Sequence, residues 1–292
     1  MENQQDPQEK FETPPYPEQE QEVPGQESDL TPKADHGETT YKGSGKLTGR
    51  RAIITGGDSG IGRAIAIAFA REGADVLISY LNEHDDANET ARYVTDEGRK
   101  AVVVPGDISN EEHCGLLINR AVEELGGLDI LINNAAFQMA RESIQEVSAE
   151  EWDRTFRTNI YSMFYLCKAA EPHLKPGSTV VNTTSVNAYK APPILVAYSA
   201  TKGAIQNFTA SMAQLWADKG IRVNCVAPGP IWTPLIPSTM PQEEVQNFGS
   251  NVPLKRAGQP AELAPIYVLL ASDDSSYMTG STVQVTGGYP TI

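Results

Sequence analysis

Three side chains in the second half of the chain have types and spacing that could move a proton. Tyr198 and Lys202 stand four residues apart at the start of a stretch with helical periodicity, so both project from one helix face. A free phenol titrates near ~10, too high for efficient proton exchange at neutral pH. An ammonium beside it favours the phenolate and lowers that value towards the working range. Taken alone, the pair is equally an ordinary solvated helix face. Ser185 changes the balance: it follows the apolar run Thr179 to Thr184, thirteen residues before Tyr198, which places its hydroxyl at the carboxyl edge of a sheet, where α/β folds bind ligands. A second group precedes these. Thr55, Gly56, Gly57, Asp58, Ser59, Gly60, Ile61 and Gly62 join an apolar run to the Ala-rich helical stretch Arg63 to Arg71. Glycines at such a junction permit a tight turn, let the backbone approach a pyrophosphate and leave a helix N-terminus facing the anion. Purely structural turns also cluster glycines, so the strand and helix on either side carry much of the weight.

The elements that must position these residues are visible as short apolar runs alternating with amphipathic stretches. Strands are expected near Arg51 to Thr55, Ala74 to Tyr80, Ala101 to Pro105, Asp129 to Asn133, Ser178 to Thr184, Ile221 to Ala227 and Thr282 to Val285. Helices are expected over Gly60 to Glu72, Asp85 to Gly98, Asn110 to Leu125, Ala149 to Ala170, Tyr198 to Lys219 and Pro260 to Ala271. This alternation implies βαβ units with right-handed crossovers. The fold class expected for residues 47–292 is α/β, a single Rossmann-type doubly wound parallel sheet of about seven strands flanked by helices.

Residues 1–46 differ in character. They are rich in Pro, Gln and Glu, and Pro7, Pro14, Pro15, Pro17, Pro24 and Pro32 break any helical or strand pattern. We expect a largely disordered extension, acting either as a solubilising tail or as a strap docked across a neighbouring subunit, with catalysis independent of it. The net charge of −15 is concentrated there, eleven acids before residue 40 facing only Lys10 and Lys33. An acidic chain of this kind argues against a nucleic-acid partner. The longest clean apolar run, Ala64 to Ala70, is too short to cross a bilayer, and no secretory signal pattern opens the sequence. Cys114, Cys167 and Cys225 lie far apart with no paired spacing, which implies no disulfide framework and a reducing cytoplasm. Nor do His36, His84, His113 and His173 have the spacing of metal ligands, so no metal is expected.

A dinucleotide's ribose is usually read at the end of the second strand, by an acid that bonds the 2′-hydroxyl or a cation that meets a 2′-phosphate. The residues there are Ser79, Tyr80, Leu81, Asn82 and Glu83, with neither an acid nor a cation plainly in place. Asp58 would repel an added phosphate if it faced the adenosine end. The reading leans to NAD, with NADP possible.

Taken with Asn133 to Ala136, Asn159 and the Pro228 to Gly229 turn after the sixth strand, the glycine loop and the Ser185, Tyr198 and Lys202 set resemble the short-chain dehydrogenase/reductase family. The resemblance runs from about Leu47 to the C-terminus. The Pro/Gln-rich extension, the Asp58 loop and the stretch Ala227 to Pro234 look like its bacterial general-stress and aldehyde-reductase-like branch. It implies hydride transfer between a nicotinamide cofactor and a small aldehyde, ketone or sugar alcohol. Tyr198 would exchange the hydroxyl proton and Ser185 would bond the substrate oxygen. Lys202 would hold the nicotinamide ribose, and Asn159 would position a water linking it to solvent. Asp107 and Ile108 would meet the adenine, Asn134 would line the cleft, and Pro228, Gly229, Ile231 and Thr233 would approach the nicotinamide amide. Association into a homotetramer is implied as well.

Two positions depart from the family pattern: Ala136 where glycine is usual, and Thr286 where an aspartate commonly precedes Gly287 and Gly288. Pro230 to Lys255 should form a lid, whose Ile231, Trp232, Leu235, Ile236, Met240 and Phe248 suit an apolar or small carbonyl compound or, equally, packing within the lid or against a subunit. A cofactor-sensing regulator or a stress-related binding protein on the same fold is the competing class. The intact Ser185, Tyr198 and Lys202 set weighs against it.

Overall fold

The computed structural model describes residues 5–290. Its strands are short, rich in Val and Ile, and buried along most of their length, a pattern that requires cover on both faces of a sheet. In chain order the elements are β1 (Arg51–Thr55), α1 (Gly60–Arg71), β2 (Asp75–Tyr80), α2 (His84–Asp96), β3 (Ala101–Pro105), α3 (Glu111–Leu125), β4 (Ile130–Asn133), α4 (Ala149–Phe156) and α5 (Ser162–Ala170). After these come β5 (Thr179–Thr183), α6 (Asn187–Lys190), α7 (Val196–Trp216), β6 (Arg222–Pro228), α8 (Leu235–Thr239), α9 (Gln242–Gln246), α10 (Pro260–Ala271) and β7 (Thr282–Val285). The seven strands form one sheet in the order β3-β2-β1-β4-β5-β6-β7, every neighbouring pair parallel. The chain moves outward to β3, then returns to the far side of β1, so a crevice opens at the carboxyl ends of β1 and β4.

Successive side chains of β1 feed opposite cores. Ile54 packs with Ile65, Phe69, Leu263 and Tyr267 beneath α1 and α10, while Ile53 joins Leu117, Leu166 and Trp216 beneath α3, α5 and α7. Each fully buried aliphatic side chain of this kind stabilises the fold by roughly 1.5–3 kcal/mol.

Two expectations need correction. The helix anticipated over Ala149 to Ala170 is interrupted by a π-helical turn, Arg157–Tyr161. Its cause is Asn159: the side-chain amide is fully buried, accepts from the Phe137 amide at 2.8 Å and donates to the Phe137 carbonyl at 2.9 Å, drawing the helix toward the loop after β4.

The second correction concerns residues 5–46, which are not a disordered tail. They lie as an extended strap on the chain's own surface, with Leu30 fully buried and Tyr16 stacked on Trp232 at 4.3 Å between ring centroids. Their backbone bonds run across to the lid: the Tyr16 amide donates to the Gln246 carbonyl at 2.8 Å, the Gln21 amide to Pro237 at 3.1 Å, and the Trp232 indole to the Pro32 carbonyl at 2.8 Å. The prolines do prevent regular structure. An extended chain that finds its hydrogen-bond partners on a neighbouring surface needs no periodicity to be ordered.

Candidate active site

At the junction of β1 and α1 the backbone doubles back with Gly56 at φ +61° and Gly60 at φ +48°. A methyl group on Gly62 would lie 1.8 Å from the Gly56 carbonyl oxygen, so only glycine lets the helix start this close to the strand. Asn134 ties the end of β4 to the same turn. Its side-chain amide donates to the Thr55 carbonyl at 3.1 Å and the Gly56 carbonyl at 3.3 Å, and its backbone amide donates to the Thr55 hydroxyl at 2.9 Å.

Beyond this turn a cavity of about 670 Å3 runs along the carboxyl edge of the sheet. Gly56, Asp58, Ser59, Gly60, Ile61, Tyr80, Asp107, Ile108 and Asn134 line it, together with Ser185, Tyr198, Lys202, Pro228, Gly229, Ile231 and Thr233. Of the site residues named from sequence, Gly62 and Asn159 lie outside the lining. Gly62 acts through the close approach just described. The Asn159 side chain is held by the Phe137 backbone and donates to the Thr201 hydroxyl at 3.0 Å. It therefore positions α7 against the loop after β4.

Pro192 and Pro193 lead through a short 3-10 turn into α7, which opens at Val196 and so places Tyr198 in its first turn. One turn later Lys202 donates from Nζ to the Thr183 carbonyl at 2.8 Å, and the Thr184 hydroxyl donates to the Lys202 carbonyl at 2.7 Å. The helix and the end of β5 are thereby locked together. The Ser185 hydroxyl accepts from the Asn187 amide at 3.1 Å. Burial pushes the Tyr198 phenol up to about 12, a side-chain hydrogen bond with Ser185 working the other way. Burial also drives the Lys202 ammonium down to about 7. The expected lowering of the phenol by the lysine is not seen: Nζ sits over the Tyr198 ring, 5.1 Å from its centroid, and its bond goes to Thr183.

Where Asp58 and Glu83 line it, the cavity is acidic. The Asp58 carboxyl is raised to about 7 by burial and then by the charge of Glu83, which also lines the cavity. The structure thus supplies an acid at the end of β2 that residue spacing left undecided. The cavity's cations lie elsewhere: Lys202 beneath Tyr198, Arg154 over the Phe137 ring and Lys190 over Tyr289. Arg63 is buried behind the turn, its guanidinium held by Asp86 at 3.2 Å and Glu89 at 2.8 Å.

Residues 56–290 match the family model described as enoyl-(acyl carrier protein) reductase. The chain belongs to the short-chain dehydrogenase/reductase family. This short-chain dehydrogenase/reductase is 55% identical to general stress protein 39 of Bacillus subtilis over 265 residues, 91% of this chain and 93% of the relative. It is 47% identical to NADPH-dependent aldehyde reductase 1, chloroplastic, of Arabidopsis thaliana over 272 residues, 91% of this chain and 94% of the relative. A short-chain dehydrogenase from Burkholderia cenocepacia, solved in complex with NADP, superposes with a TM-score of 0.78 at 30% identity, covering 83% of this chain and 98% of its own. The protein is an oxidoreductase that uses a nicotinamide cofactor, and the regulator reading falls away.

The glycine turn fits that cofactor: Gly56 and Gly60 present bare backbone at positive φ, and a methyl on Gly60 would lie 2.9 Å from Thr233 Cγ2. Several parts of the cavity wall were missed from sequence. The Thr183 carbonyl that anchors Lys202 is a backbone group any residue would supply, and Val23 and Pro24 come from the extension. Of the two roles left open for the lid residue Trp232, substrate contact and packing, the structure shows packing: it is fully buried against Tyr16.

Among the described residues no helix is long and apolar enough to cross a membrane, and no cluster of His, Cys, Asp or Glu is placed to hold a metal.

Proposed function

We propose that the protein interconverts a small aldehyde or ketone and its alcohol, with Tyr198 exchanging the oxygen-bound proton. When bound, the nicotinamide supplies or accepts the hydride. The observation that carries this reading is the convergence of Ser185, hydrogen-bonded to Tyr198, and Lys202, 5.1 Å from the Tyr198 ring centroid, on the cavity that the glycine turn also lines. In the reducing direction the phenol, held protonated by burial, gives its proton to the carbonyl oxygen as that oxygen gains charge, and Ser185 bonds the same oxygen. Lys202, poised near neutrality and fastened to Thr183, would hold the nicotinamide ribose hydroxyls. Asp107 and Ile108 would take the adenine, while Pro228, Gly229, Ile231 and Thr233 would face the nicotinamide amide. The lid side chains Leu235, Ile236, Met240 and Phe248 restrict the substrate to a small or apolar carbonyl compound. The catalytic unit is residues 47–292, with residues 1–46 appended to it.

Asp58 and Glu83 at the adenosine end, with the cavity's cations placed elsewhere, favour NAD over NADP. The NADPH-dependent plant relative and the NADP complex represent the opposite choice. Titrating NADH and NADPH side by side, then following their consumption with small aldehydes and ketones, decides between them. Tyr198→Phe should still bind cofactor yet lose about 10²–10⁴-fold in kcat. Full turnover by that variant would sink the assignment of the proton.

Assembly as a homotetramer is supported by exposed apolar side chains on three neighbouring segments, Leu116 on α3, Tyr161 on the π turn and Phe164 on α5, and by β7, whose outer edge is open. A cytoplasmic location is in keeping with three free, buried cysteines.

A further inference from the structure

We propose that the strap segment Val23 to Glu27 is a working part of the dinucleotide site, a fixed cover whose detachment sets how fast the cofactor leaves. The inference rests on the function proposed above. Val23 and Pro24 line the same cavity as the glycine turn and Tyr198. On the lid side, the Ser238 hydroxyl donates to the Pro24 carbonyl at 3.3 Å, and Gly25, at φ +86°, is pressed so close that a methyl there would sit 2.7 Å from the Pro234 carbonyl oxygen. On the cofactor side, a Glu27 carboxylate oxygen accepts from the Gly60 amide at 2.8 Å, and the Glu27 amide donates to Asp86 at 2.8 Å. Gly60 opens α1, so its amide has no partner within the helix. Between Pro24 and Glu27 the chain therefore crosses from the lid helix α8 to the first amide of α1, at the end of the glycine turn, a span of at most about 10 Å.

The anchor is built in a way no solubilising tail requires. Glu27 is 4% exposed and His36 2% exposed, the two in contact at 3.1 Å, with Glu38 against the other imidazole nitrogen at 2.9 Å. Burying charges is costly, and such groups specify one arrangement more than they add stability. Here they specify that the strap ends on the glycine turn. Farther out, the Tyr16 and Trp232 stack clamps the other half of the strap to the lid. A nicotinamide cofactor enclosed by this crossing has to wait for lid and strap to part before it can leave.

Tyr16 lies outside the cavity, so Tyr16→Ala loosens the strap without touching the site. Gly25→Val forces the strap off Pro234 by collision. Stopped-flow fluorescence of bound NADH and NADPH, chased with excess oxidised cofactor, gives the dissociation rate. Hydrogen exchange over residues 16–27 reports strap release. Both variants should release cofactor about tenfold faster or more, the effect appearing in the off-rate rather than the on-rate. Unchanged dissociation in Gly25→Val, with its strap amides exchanging freely, would overturn the proposal. A wild-type protein that binds neither cofactor would instead overturn the functional reading on which it rests.

Discussion

Asp58 shows how much one buried side chain can decide. Its carboxyl, raised to about 7 by burial and by Glu83, changes charge across the physiological range in the cavity lining proposed above to meet the adenosine end of the cofactor. Below that value the group is neutral; above it, on the proposed placement, a 2′-phosphate would meet a negative charge. The kcat/KM ratio of NADPH to NADH should therefore fall as pH rises through about 7, by about fivefold for roughly 1 kcal/mol of repulsion. Asp58→Asn should flatten that dependence. A wild-type ratio that does not move with pH would mean that Asp58 points away from the ribose. Tyr198 and Lys202 obey the same physics in opposite senses, burial raising one and lowering the other until the phenol is firmly protonated and the amine lies near neutrality.

At the level of elements, the strap is anchored through groups whose titration is shifted. Burial disfavours a charged His36, but Glu27 and Glu38 outweigh it and lift the imidazole from 6.5 to about 9. The folded value lies above the unfolded one, so this contribution to strap docking is complete below 6.5 and is lost as pH rises through about 9. Glu38 moves the other way, to about 2, and its contribution is present above 4.5 and lost as pH falls through about 2. Trp232 fluorescence should therefore report release of the Tyr16 stack on the alkaline side of the His36 transition, before global unfolding. His36→Gln should abolish that step. If the signal changes only together with far-ultraviolet circular dichroism, the strap has no separate equilibrium.

For the molecule as a whole, β7 has no strand beyond it among the described residues, and Tyr161 and Phe164 are exposed apolar side chains that an assembly could bury. Phe164→Glu places a charge in the proposed contact. Light scattering should then show a species smaller than the wild-type assembly, with little loss of thermal stability in the released subunit. A wild-type protein that elutes as a monomer would refute the assembly itself.

What the sequence determined by itself is whatever repeats locally. Alternating apolar runs and amphipathic stretches located all seven strands to within a residue or so, and the glycine turn with Ser185, Tyr198 and Lys202 was legible because each residue's task constrains its type. Tertiary structure alone decided the rest. The strap carries no period, since its anchors Tyr16, Glu27, Leu30 and His36 are spaced to fit another surface rather than a helix or strand. The π turn at Asn159 depends on a partner 22 residues away in the chain, and the burial that shifts Tyr198, Lys202 and Asp58 exists only once the sheet has closed around them. Local pattern records what a residue is suited to do; the electrostatics of the site and the route of an extended chain depend on neighbours that only folding brings together.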